Sequence, residues 1–389
     1  MIRLSFRTFV LCLALGLVTL LYQFQNIQNE SKSRRNRISM SDNPPIEESI
    51  AKNEEEAVVY NLNEAVHAFY YPWYASAEVD GQWAHWNHPV LPHWIARVNA
   101  QCKGCKSLWK MECSTYYPTL GPYSSADPKV IDQHLRWVAE AGIGTLVVSF
   151  FAKGRTDDNG LPFEHVVQLL FERAPTYKAA SIADDIRSTV STYAKHPSAA
   201  KIDGKLIFYL YDSYQVQSSD WARVIPAVND IAYTIGLLVE FGHLEHVIAS
   251  RFSAAYSYFA AIDFSFGCTP KNWKRIVSTL SKNKVEFIPS VGPGYDDTSI
   301  RPWNKQNSKS RADGEYYSKY WDEAIKLKPK IISITSFNEW HEGTQIEPAI
   351  EKSIANSRAF GDSAYPSYSN PMQYLELTAR YSSLFSPST

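Results

Sequence analysis

The feature that most constrains the fold of this 389-residue chain is an alternation of strand-like and helix-like segments from residue 58 onward. Seven short runs rich in β-branched and aromatic residues are candidate strands: 66–71, 145–151, 206–211, 235–240, 254–259, 285–290 and 331–335. Five stretches between them repeat apolar residues at helical spacing: 130–141, 163–172, 184–193, 273–280 and 316–327. Strands that alternate with helices predict a parallel sheet of the α/β class, and about 330 residues of this pattern favour a closed (β/α)8 barrel over an open sheet.

The count of strands is one short of the eight that such a barrel needs. The gap follows the predicted helix that ends near Arg173, where residues 174–182 (APTYKAASI) lead directly to the next predicted helix. That segment is a poor buried strand. No glycine-rich dinucleotide loop follows the first strand, which argues against a Rossmann fold. We therefore expect a TIM-like barrel that is incomplete, with its third strand missing.

The first 57 residues are expected to lie outside the barrel domain, which would occupy residues 58–389. Residues 8–22 carry no charge, and no small-x-small cleavage site follows them, so they predict a transmembrane signal anchor rather than a cleaved signal peptide. Residues 1–7 would then be a cytoplasmic tail, and the polar residues 23–57 a disordered stem. Because more Lys and Arg residues follow the apolar segment than precede it, charge alone does not settle the orientation.

Composition excludes one class of partner and favours another. The chain has 39 basic and 40 acidic side chains, a formal net charge of −1, so it lacks the basic footprint of nucleic-acid-binding proteins, and we expect no nucleic-acid partner. Its aromatic content is high, at 14%. Tyr and Trp combine a flat apolar ring with a polar tip, which suits a wet aromatic cleft.

Neither the cysteines nor the histidines form a recognisable metal site. Cys102, Cys105 and Cys113 lie close together, but the nearest histidines precede them at irregular spacing: His85, His88 and His93. In a secretory lumen a disulfide within this segment is favoured over zinc, and free thiols in a variable loop remain an equal alternative to the disulfide. We expect no metal.

The carboxyl ends of the predicted strands, where the active sites of (β/α)8 barrels lie, combine aromatic rings with hydrogen-bonding side chains. This mixture suits a sugar, whose C–H faces stack on rings and whose hydroxyls need polar partners. The alternative interpretation of the tryptophans after the first strand is a small hydrophobic cluster packed under a long loop. A metal site formed by the histidines of the same loop is the least favoured interpretation. The residues expected to bind a sugar substrate are Tyr71, Trp73, Trp86, Asp212, Tyr258, Tyr295, Arg301 and Asn338.

Two carboxylates, Glu339 and Glu342, stand just beyond the end of the last predicted strand, flanked by Trp340 and His341. Cleavage of a glycosidic bond needs two carboxyl groups in different surroundings, one to donate a proton and one to act on the opposite face of the sugar. A solvated acidic turn that caps the next helix is the alternative. The position at a barrel strand end, within an aromatic collar, favours the catalytic interpretation.

Six segments are long enough to be compared with known families: SFNEWHEGTQIE, IPSVGPGYDDTSIRPWN, YYPTLGPYSS, AGIGTLVVSFF, FYLYDSY and WNHPVLPHW. They resemble motifs of glycoside hydrolase family 99, a family of endo-α-1,2-mannosidases, and the resemblance runs with interruptions from about residue 67 to about residue 385. It implies a barrel that cuts the internal α-1,2 bond of glucosylated high-mannose N-glycans without a cofactor and releases a glucosyl-mannose oligosaccharide. Since animal members of the family are type II Golgi membrane proteins, it also implies a lumenal catalytic domain.

The resemblance also assigns roles to the two carboxylates. Glu339 would deprotonate the 2-hydroxyl of the mannose whose bond is cut, so that this oxygen attacks C1 and forms a 1,2-anhydro sugar. Glu342 would protonate the leaving oxygen and later activate water, and the configuration would be retained. A carboxylate that attacks C1 directly and forms a covalent intermediate is the generic alternative.

Three segments depart from the family. No match to its third-strand segment, which resembles His-Ile-Glu-Pro-Tyr, is present, and this coincides with the missing strand. Relatives carry a Trp-Tyr-Pro-Pro-like run after the second strand, where this chain has FFAK at residues 150–153, and the cysteine segment at 102–113 is atypical. Two hypotheses therefore stand: an endo-acting mannosidase, which is favoured, and a non-catalytic glycan-binding relative that keeps the cleft without a closed barrel.

Overall fold

The structure is a computed structural model that describes residues 16–21, 60–86, 114–149, 164–172, 182–195, 198–353, 364–365 and 368–388. Its strands are β1 (Gly16–Leu21), β2 (Asn63–Tyr70), β3 (Tyr117–Pro118), β4 (Ile143–Ser149), β5 (Lys201–Ile202), β6 (Lys205–Leu210), β7 (Ala232–Leu237), β8 (Ala254–Tyr256), β9 (Glu286–Ile288), β10 (Ser290–Val291), β11 (Ile332–Ile334), β12 (Ala349–Ile350), β13 (Lys352–Ser353) and β14 (Ala364–Tyr365). Its helices are α1 (Ala77–Asp80), α2 (Pro128–Glu140), α3 (Glu164–Glu172), α4 (Ile182–Tyr193), α5 (Ser218–Val224), α6 (His243–Ala249), α7 (Pro270–Ser281), α8 (Glu315–Lys326) and α9 (Gln373–Leu384).

One sheet organises the domain, with the strand order β10-β11-β2-β4-β1-β6-β7-β8-β9. Only Pro289 separates β9 from β10, so the two ends of this order belong to one interrupted strand and the sheet closes on itself. The pairs β10–β11, β11–β2, β2–β4, β6–β7, β7–β8 and β8–β9 are all parallel. All seven predicted strands are present, and the prediction of a TIM-like α/β fold built on parallel strands is confirmed.

The position between β4 and β6 is where the third strand of a parallel barrel belongs. The structure places β1 there, antiparallel to both neighbours, with Leu17 opposite Ser149 of β4 and Gly16 opposite Leu210 of β6. The segment 174–181, where the sequence analysis located the gap, lies outside the described residues. Of the eight strand positions, seven are therefore parallel and the third is antiparallel.

β1 belongs to the segment 8–22 that the sequence analysis assigned to a membrane anchor. A segment that pairs within the sheet cannot cross a bilayer at the same time, so the two placements exclude each other. Within the described ranges, no helix combines the length and the apolar character needed to span a membrane. The anchor, the cytoplasmic tail and the stem stay predictions.

The helices form where the chain supplies a start signal and an apolar face. α2 begins after Asp127, whose carboxylate accepts a hydrogen bond from the Lys129 N–H (2.8 Å), and Pro128 at the first position has no N–H to satisfy. All five predicted helices are present within about three residues of their expected bounds. Four helices were not predicted: α1 has only four residues, α5 and α6 have seven each, and the buried face of α9 includes Thr378 and Ser382, which break the apolar repeat.

The start of β2 and the end of α9 meet beside the amino ends of the parallel strands. The Asn63 side chain at the start of β2 donates to the carbonyl oxygens of Ser382 and Phe385 (both 2.8 Å), and the Ser382 hydroxyl donates to the carbonyl of Gly142 (2.6 Å). The opposite, carboxyl ends of the strands carry the residues that the sequence analysis selected. Parallel strands thus bring residues from positions 71 to 342 to one mouth of the barrel.

Candidate active site

The chain turns sharply after β11, and this turn presents the two candidate catalytic carboxylates. Residues Trp340–Glu342 form one 3-10 turn with Glu339 at its N-cap, where the Glu339 carboxylate accepts the His341 backbone N–H (3.1 Å). Gly343 ends the turn in the left-handed conformation, with φ of +59°, and a Cβ there would lie 2.9 Å from the carbonyl oxygen of Asp296. Only glycine fits this position without strain.

A buried arginine holds the far side of this turn. Arg311 donates from Nη2 to the carbonyl oxygens of Gly343 and Gln345 (both 2.8 Å). Its guanidinium is packed over three tyrosine rings, with centroid distances of 4.6, 4.9 and 4.6 Å for Tyr116, Tyr368 and Tyr374. A planar cation bound by carbonyls and aromatic faces fixes the backbone that carries Glu342.

Glu339 is held by one hydrogen bond and one ion pair from its own turn. Its side chain is 5% exposed, and its Oε1 lies 3.2 Å from Nδ1 of His341 and 3.1 Å from the backbone nitrogen of the same residue. Its backbone N–H donates to the Ser336 hydroxyl (2.8 Å). One carboxylate oxygen is therefore held by His341, and the carboxylate has a fixed orientation.

Glu342 lies in different surroundings. Its side chain is 16% exposed, and its Oε1 lies 3.5 Å from Nη1 of Arg301. Burial raises the pKa of Glu342 to about 7; the charge of Arg301 opposes this increase, and the charges of Glu339 and Asp297 add to it. A carboxyl with a pKa near neutrality holds its proton in part of the molecules at pH 7 and can both give and take one, which is what a general acid and base requires.

Four tyrosines surround the Glu342 carboxyl. Burial is the main cause that raises the pKa of Tyr71, Tyr211, Tyr258 and Tyr295, and the charge of Glu342 raises each of them further. The hydroxyls of Tyr71 and Tyr258 form a hydrogen bond, and the Tyr211 ring meets the Tyr258 ring edge-on at 5.1 Å. These hydroxyls stay protonated at any physiological pH, so they line the mouth as neutral donors. Tyr211 was not selected from the sequence, although it ends a predicted strand.

A fully buried aspartate organises the loop after β10. Asp297 accepts hydrogen bonds from the Tyr295 hydroxyl (2.9 Å), from Nη1 of Arg301 (3.0 Å) and from Nδ2 of Asn304 (2.9 Å). It thereby aims two of the predicted sugar-binding residues, Tyr295 and Arg301, at Glu342. Asp297 was not predicted from the sequence, because its role depends on which neighbours the loop brings to it.

Asn338 and Trp86 were predicted to bind sugar, and the structure gives both a packing role. The Asn338 amide is fully buried and clamps Tyr71, accepting from its N–H (2.7 Å) and donating to its carbonyl (2.9 Å). Trp86 is 1% exposed, stacks on Tyr74 at 4.3 Å and donates to the carbonyl of Tyr123 (2.6 Å). Neither side chain offers a free face to a ligand in this arrangement.

The remaining two predicted sugar-binding residues lie nearer the rim. Trp73 is half-buried, lies 4.5 Å from the Tyr71 ring, and stacks on the ring of His85 at 4.7 Å. Asp212, just beyond β6, accepts from the Tyr214 hydroxyl (2.7 Å) and from the Gln215 amide (2.8 Å). The structure therefore brings Tyr71, Tyr258, Tyr295 and Arg301 together around the carboxylates and leaves Asp212 in a local turn of its own.

A second carboxylate network supports the turn from below. Glu347, fully buried, accepts hydrogen bonds from the Trp340 indole (2.9 Å), from the Tyr123 hydroxyl (2.9 Å) and from Nε2 of His134 (3.0 Å). His134 lies on α2, so this network ties the catalytic turn to a helix. The sequence analysis did not single out Glu347 or His134, because partners more than 200 positions apart leave no local pattern.

The described residues contain no group of three or more His, Cys, Asp and Glu side chains that could hold a metal ion. His88, His93 and the cysteines at 102, 105 and 113 lie outside the described residues. Cys268, which lies within them, is a buried free thiol that donates to the carbonyl of Ala261 (3.0 Å). The predicted absence of a metal cofactor stays a prediction.

Comparison with known proteins adds sequence relatives over most of the chain. Residues 61–387 match the model of glycosyl hydrolase family 99. A glycoprotein endo-alpha-1,2-mannosidase of Mus musculus is 40% identical over 355 residues, 84% of this chain and 76% of the relative. A glycoprotein endo-alpha-1,2-mannosidase-like protein of Homo sapiens is 39% identical over 348 residues, 82% of this chain and 75% of the relative.

Solved structures show the same fold. The endo-alpha-mannosidase of family 99 from Bacteroides thetaiotaomicron superposes with a TM-score of 0.68 and 32% sequence identity, over 83% of this chain and 98% of the bacterial one. The complex of that enzyme with bis-tris propane gives the same values. The match covers nearly the whole bacterial enzyme.

Proposed function

Because the chain belongs to glycosyl hydrolase family 99, we propose that it is an endo-acting, retaining α-1,2-mannosidase. Its substrates are glucosylated high-mannose N-glycans on glycoproteins, from which it releases a glucosyl-mannose oligosaccharide. The observation that carries this proposal is the pair Glu339 and Glu342, placed on one turn at the mouth of the barrel, with the pKa of Glu342 raised to about 7. The name of the mouse relative supports the substrate class.

The first step joins the substrate's own 2-hydroxyl to its anomeric carbon. Glu339 takes the proton of the 2-hydroxyl while this oxygen forms a bond to C1. The bond between C1 and the leaving oxygen breaks at the same time, and Glu342 gives its proton to that oxygen. The product of this step is a 1,2-anhydro sugar, and no bond to the protein forms.

The second step restores the sugar and both carboxyls. Glu342, now ionised, takes a proton from water as the water oxygen attacks C1. The bond between C1 and the 2-oxygen breaks, and Glu339 returns its proton to the 2-oxygen. Two inversions at C1 retain the configuration. A pKa near 7 suits Glu342 for both steps, since the same group must donate and then accept a proton.

Tyr71, Tyr258 and Arg301 would bind the sugar at the point of cleavage. Tyr71 and Tyr258 are neutral hydroxyls close to both carboxyls, so they can donate to sugar oxygens without competing for the catalytic proton. Arg301 is 38% exposed and retains guanidinium hydrogens beyond its bond to Asp297. Trp73 offers a half-buried indole at the rim for stacking.

The protein acts in the Golgi lumen in this proposal, as a single-pass type II membrane protein anchored by residues 8–22. The support is the uncharged length of that segment and the resemblance to animal family members. In the anchored protein, residues 16–21 leave the sheet, and the position between β4 and β6 is open. Protease protection of the domain in sealed Golgi vesicles, with loss of that protection in detergent, would support this topology, whereas cleavage in intact vesicles would refute it.

A second candidate is a glycan-binding relative without turnover. It is favoured by one observation: the third strand position holds no parallel strand, and the family's His-Ile-Glu-Pro-Tyr-like segment has no match in the chain. That segment would have brought polar side chains to the mouth. Such a protein would bind the glycan through the same tyrosines and release nothing.

One experiment separates the two candidates. The purified protein is incubated with a glucosylated high-mannose glycan, and the released oligosaccharide is identified by mass spectrometry. We expect a glucosyl-mannose product from the native chain and none from Glu342→Gln or Glu339→Gln, with binding of the glycan retained by both variants. Binding by the native chain without any product would refute the enzymatic proposal and support the second candidate.

A further inference from the structure

His341 lies between the base of the proposed reaction and a backbone carbonyl. Its Nε2 lies 2.6 Å from the carbonyl oxygen of His85, and its Nδ1 lies 3.2 Å from Oε1 of Glu339. The ring is 6% exposed, between the rings of Tyr74 and His85, with centroid distances of 5.9 and 5.6 Å. The position of each ring nitrogen is therefore fixed by a partner of known chemistry.

These two partners decide where the protons are. A carbonyl oxygen can only accept, so Nε2 of His341 must carry a hydrogen. Nδ1 and Oε1 of Glu339 lie at ion-pair distance, and two unprotonated atoms this close in a buried site would repel each other. One of the two must therefore carry a proton, and for Glu339 to act as a base that proton cannot be on Glu339. It must be on Nδ1, and both ring nitrogens are then protonated.

We propose that His341 is a positioning residue for Glu339: its protonated ring, with Nδ1 3.2 Å from Oε1, holds one carboxylate oxygen in an ion pair, so that the other oxygen takes the proton from the substrate's 2-hydroxyl. This inference rests on the proposed function, in which Glu339 is the base. The positive ring compensates the charge of the carboxylate in a buried site, and the bond to the His85 carbonyl keeps the ring in place. His341 touches no reacting atom of the substrate and acts through Glu339 alone.

Two substitutions separate the two nitrogens of the ring. In His341→Asn the amide nitrogen can occupy the place of Nδ1 and still donate to Glu339, whereas in His341→Gln it reaches the place of Nε2 and donates only to the His85 carbonyl. We expect kcat for the glycan to fall about tenfold in His341→Asn and about a thousandfold in His341→Gln, within the range that one base contributes. KM should change little in both. An equal or smaller loss in His341→Gln, or a loss seen in KM instead of kcat, would overturn the proposal.

A matched control accounts for the replacement of a histidine ring by a glutamine that keeps only the Nε2 bond. His246 on α6 makes the same kind of contact, from Nε2 to the carbonyl of Val216 (2.8 Å). His246→Gln should keep kcat within about twofold of the native value. A loss as large as that of His341→Gln would mean that replacing any such histidine ring lowers the rate through the fold, and the proposal would fail.

A substrate with a better leaving group tests which carboxyl His341 serves. A glucosyl-mannosyl fluoride needs no proton on its leaving atom, so Glu342→Gln should recover release of fluoride, while His341→Gln should remain slow because the 2-hydroxyl must still lose its proton. Recovery of His341→Gln to the native rate would assign His341 to the acid and refute the proposal. If the native protein cleaves neither substrate, the proposed function itself fails.

Nitrogen NMR locates the protons of His341 without measuring activity. The measurement on the native protein is decisive even where the variants fold poorly. With 15N-labelled histidine, both ring nitrogens of His341 should give signals of protonated nitrogen in the native protein. In Glu339→Gln, whose amide can donate to Nδ1, the Nδ1 signal should move to that of an unprotonated ring nitrogen. An unprotonated Nδ1 in the native protein would overturn the proposal whatever the activity.

Discussion

Arg301 sets how strongly Glu342 holds its proton, and removing its charge should move the pH dependence of cleavage. The acid in the first step must be protonated, so kcat/KM should fall as the pH rises through the pKa of Glu342, about 7. The charge of Arg301 lowers that pKa. In Arg301→Met the carboxyl should hold its proton to higher pH, because the cation is gone and the nearby charge of Asp297 is no longer balanced.

The size of the shift follows from the separation and the exposure. Two charges 3.5 Å apart, as in Arg301 and Glu342, interact by about 1 kcal/mol in a water-like medium and about 5 kcal/mol at an effective dielectric constant of about 20. Since the Arg301 side chain is 38% exposed, the smaller figure applies. At about 1.4 kcal/mol per pKa unit, we expect the alkaline limb to move up by about one pH unit.

The assay is the pH profile of kcat/KM for glycan hydrolysis, which reports the groups of the free enzyme. Arg301→Lys, which keeps the charge, should leave the limb close to its native position even if KM rises. Arg223→Gln removes an exposed arginine paired with Asp220 and should change nothing. An alkaline limb of Arg301→Met that stays in place or moves to lower pH would refute the assignment of this limb to Glu342.

Four further outcomes are expected. Glu342→Gln should abolish turnover and stabilise the fold above pH 7 by a few kcal/mol. A carboxyl with a raised pKa favours folding at low pH and loses that contribution as the pH rises through about 7, whereas the amide does not ionise. A lower Tm for the variant than for the native chain at pH 8 would contradict this. Burial lowers the pKa of His67 to about 3, so the unfolded chain binds one more proton than the folded chain between about pH 6.5 and 3. The free energy of unfolding should therefore fall by about 1.4 kcal/mol per pH unit on acidification. Urea denaturation at a series of pH values measures this slope, and His67→Gln should lack it. EDTA should leave the rate of glycan cleavage unchanged, and a loss reversed by zinc or calcium would indicate a metal site. In the anchored protein, with residues 16–21 outside the sheet, the edges of β4 and β6 leave backbone groups unpaired, so a chain with a family-like strand inserted between Arg173 and Ala183 should have a higher Tm and a higher rate than the native chain. Equal values in both would mean that β1, which pairs with both edges in the structure, or another segment closes the barrel.

The parallel strands could be predicted because they are short runs rich in β-branched and aromatic residues, and the two carboxylates because they lie three residues apart at a strand end. The position of β1 could not be predicted. An apolar segment such as residues 16–21 has the same composition whether it pairs with β4 or crosses a membrane, so composition does not choose between these environments.

The side chains that hold the site in place were the least predictable part. Asp297 and Glu347 are ordinary carboxylates in the sequence, and their roles come from partners that the fold brings to them. Trp86 was assigned to the sugar because it lies in an aromatic loop, but whether a ring faces the cleft or the core depends on Tyr74 and Tyr123, which the fold supplies. The hydrophobic pattern predicts which residues lie on a strand. It does not predict in which direction the side chains point in the loop that follows the strand.

The clamp between Asn338 and Tyr71 joins segments that are 267 positions apart in the chain. Tyr71 follows the first parallel strand and Asn338 follows the last, so the clamp crosses the seam where the barrel closes in chain order. During synthesis, Tyr71 lacks its partner Asn338 until nearly the whole domain has left the ribosome. No shorter nascent chain can assemble the pair of carboxyls with their aromatic wall. The protein therefore acquires its cleft only with its last parallel strand, and a chain that ends before this strand has no partial version of the cleft.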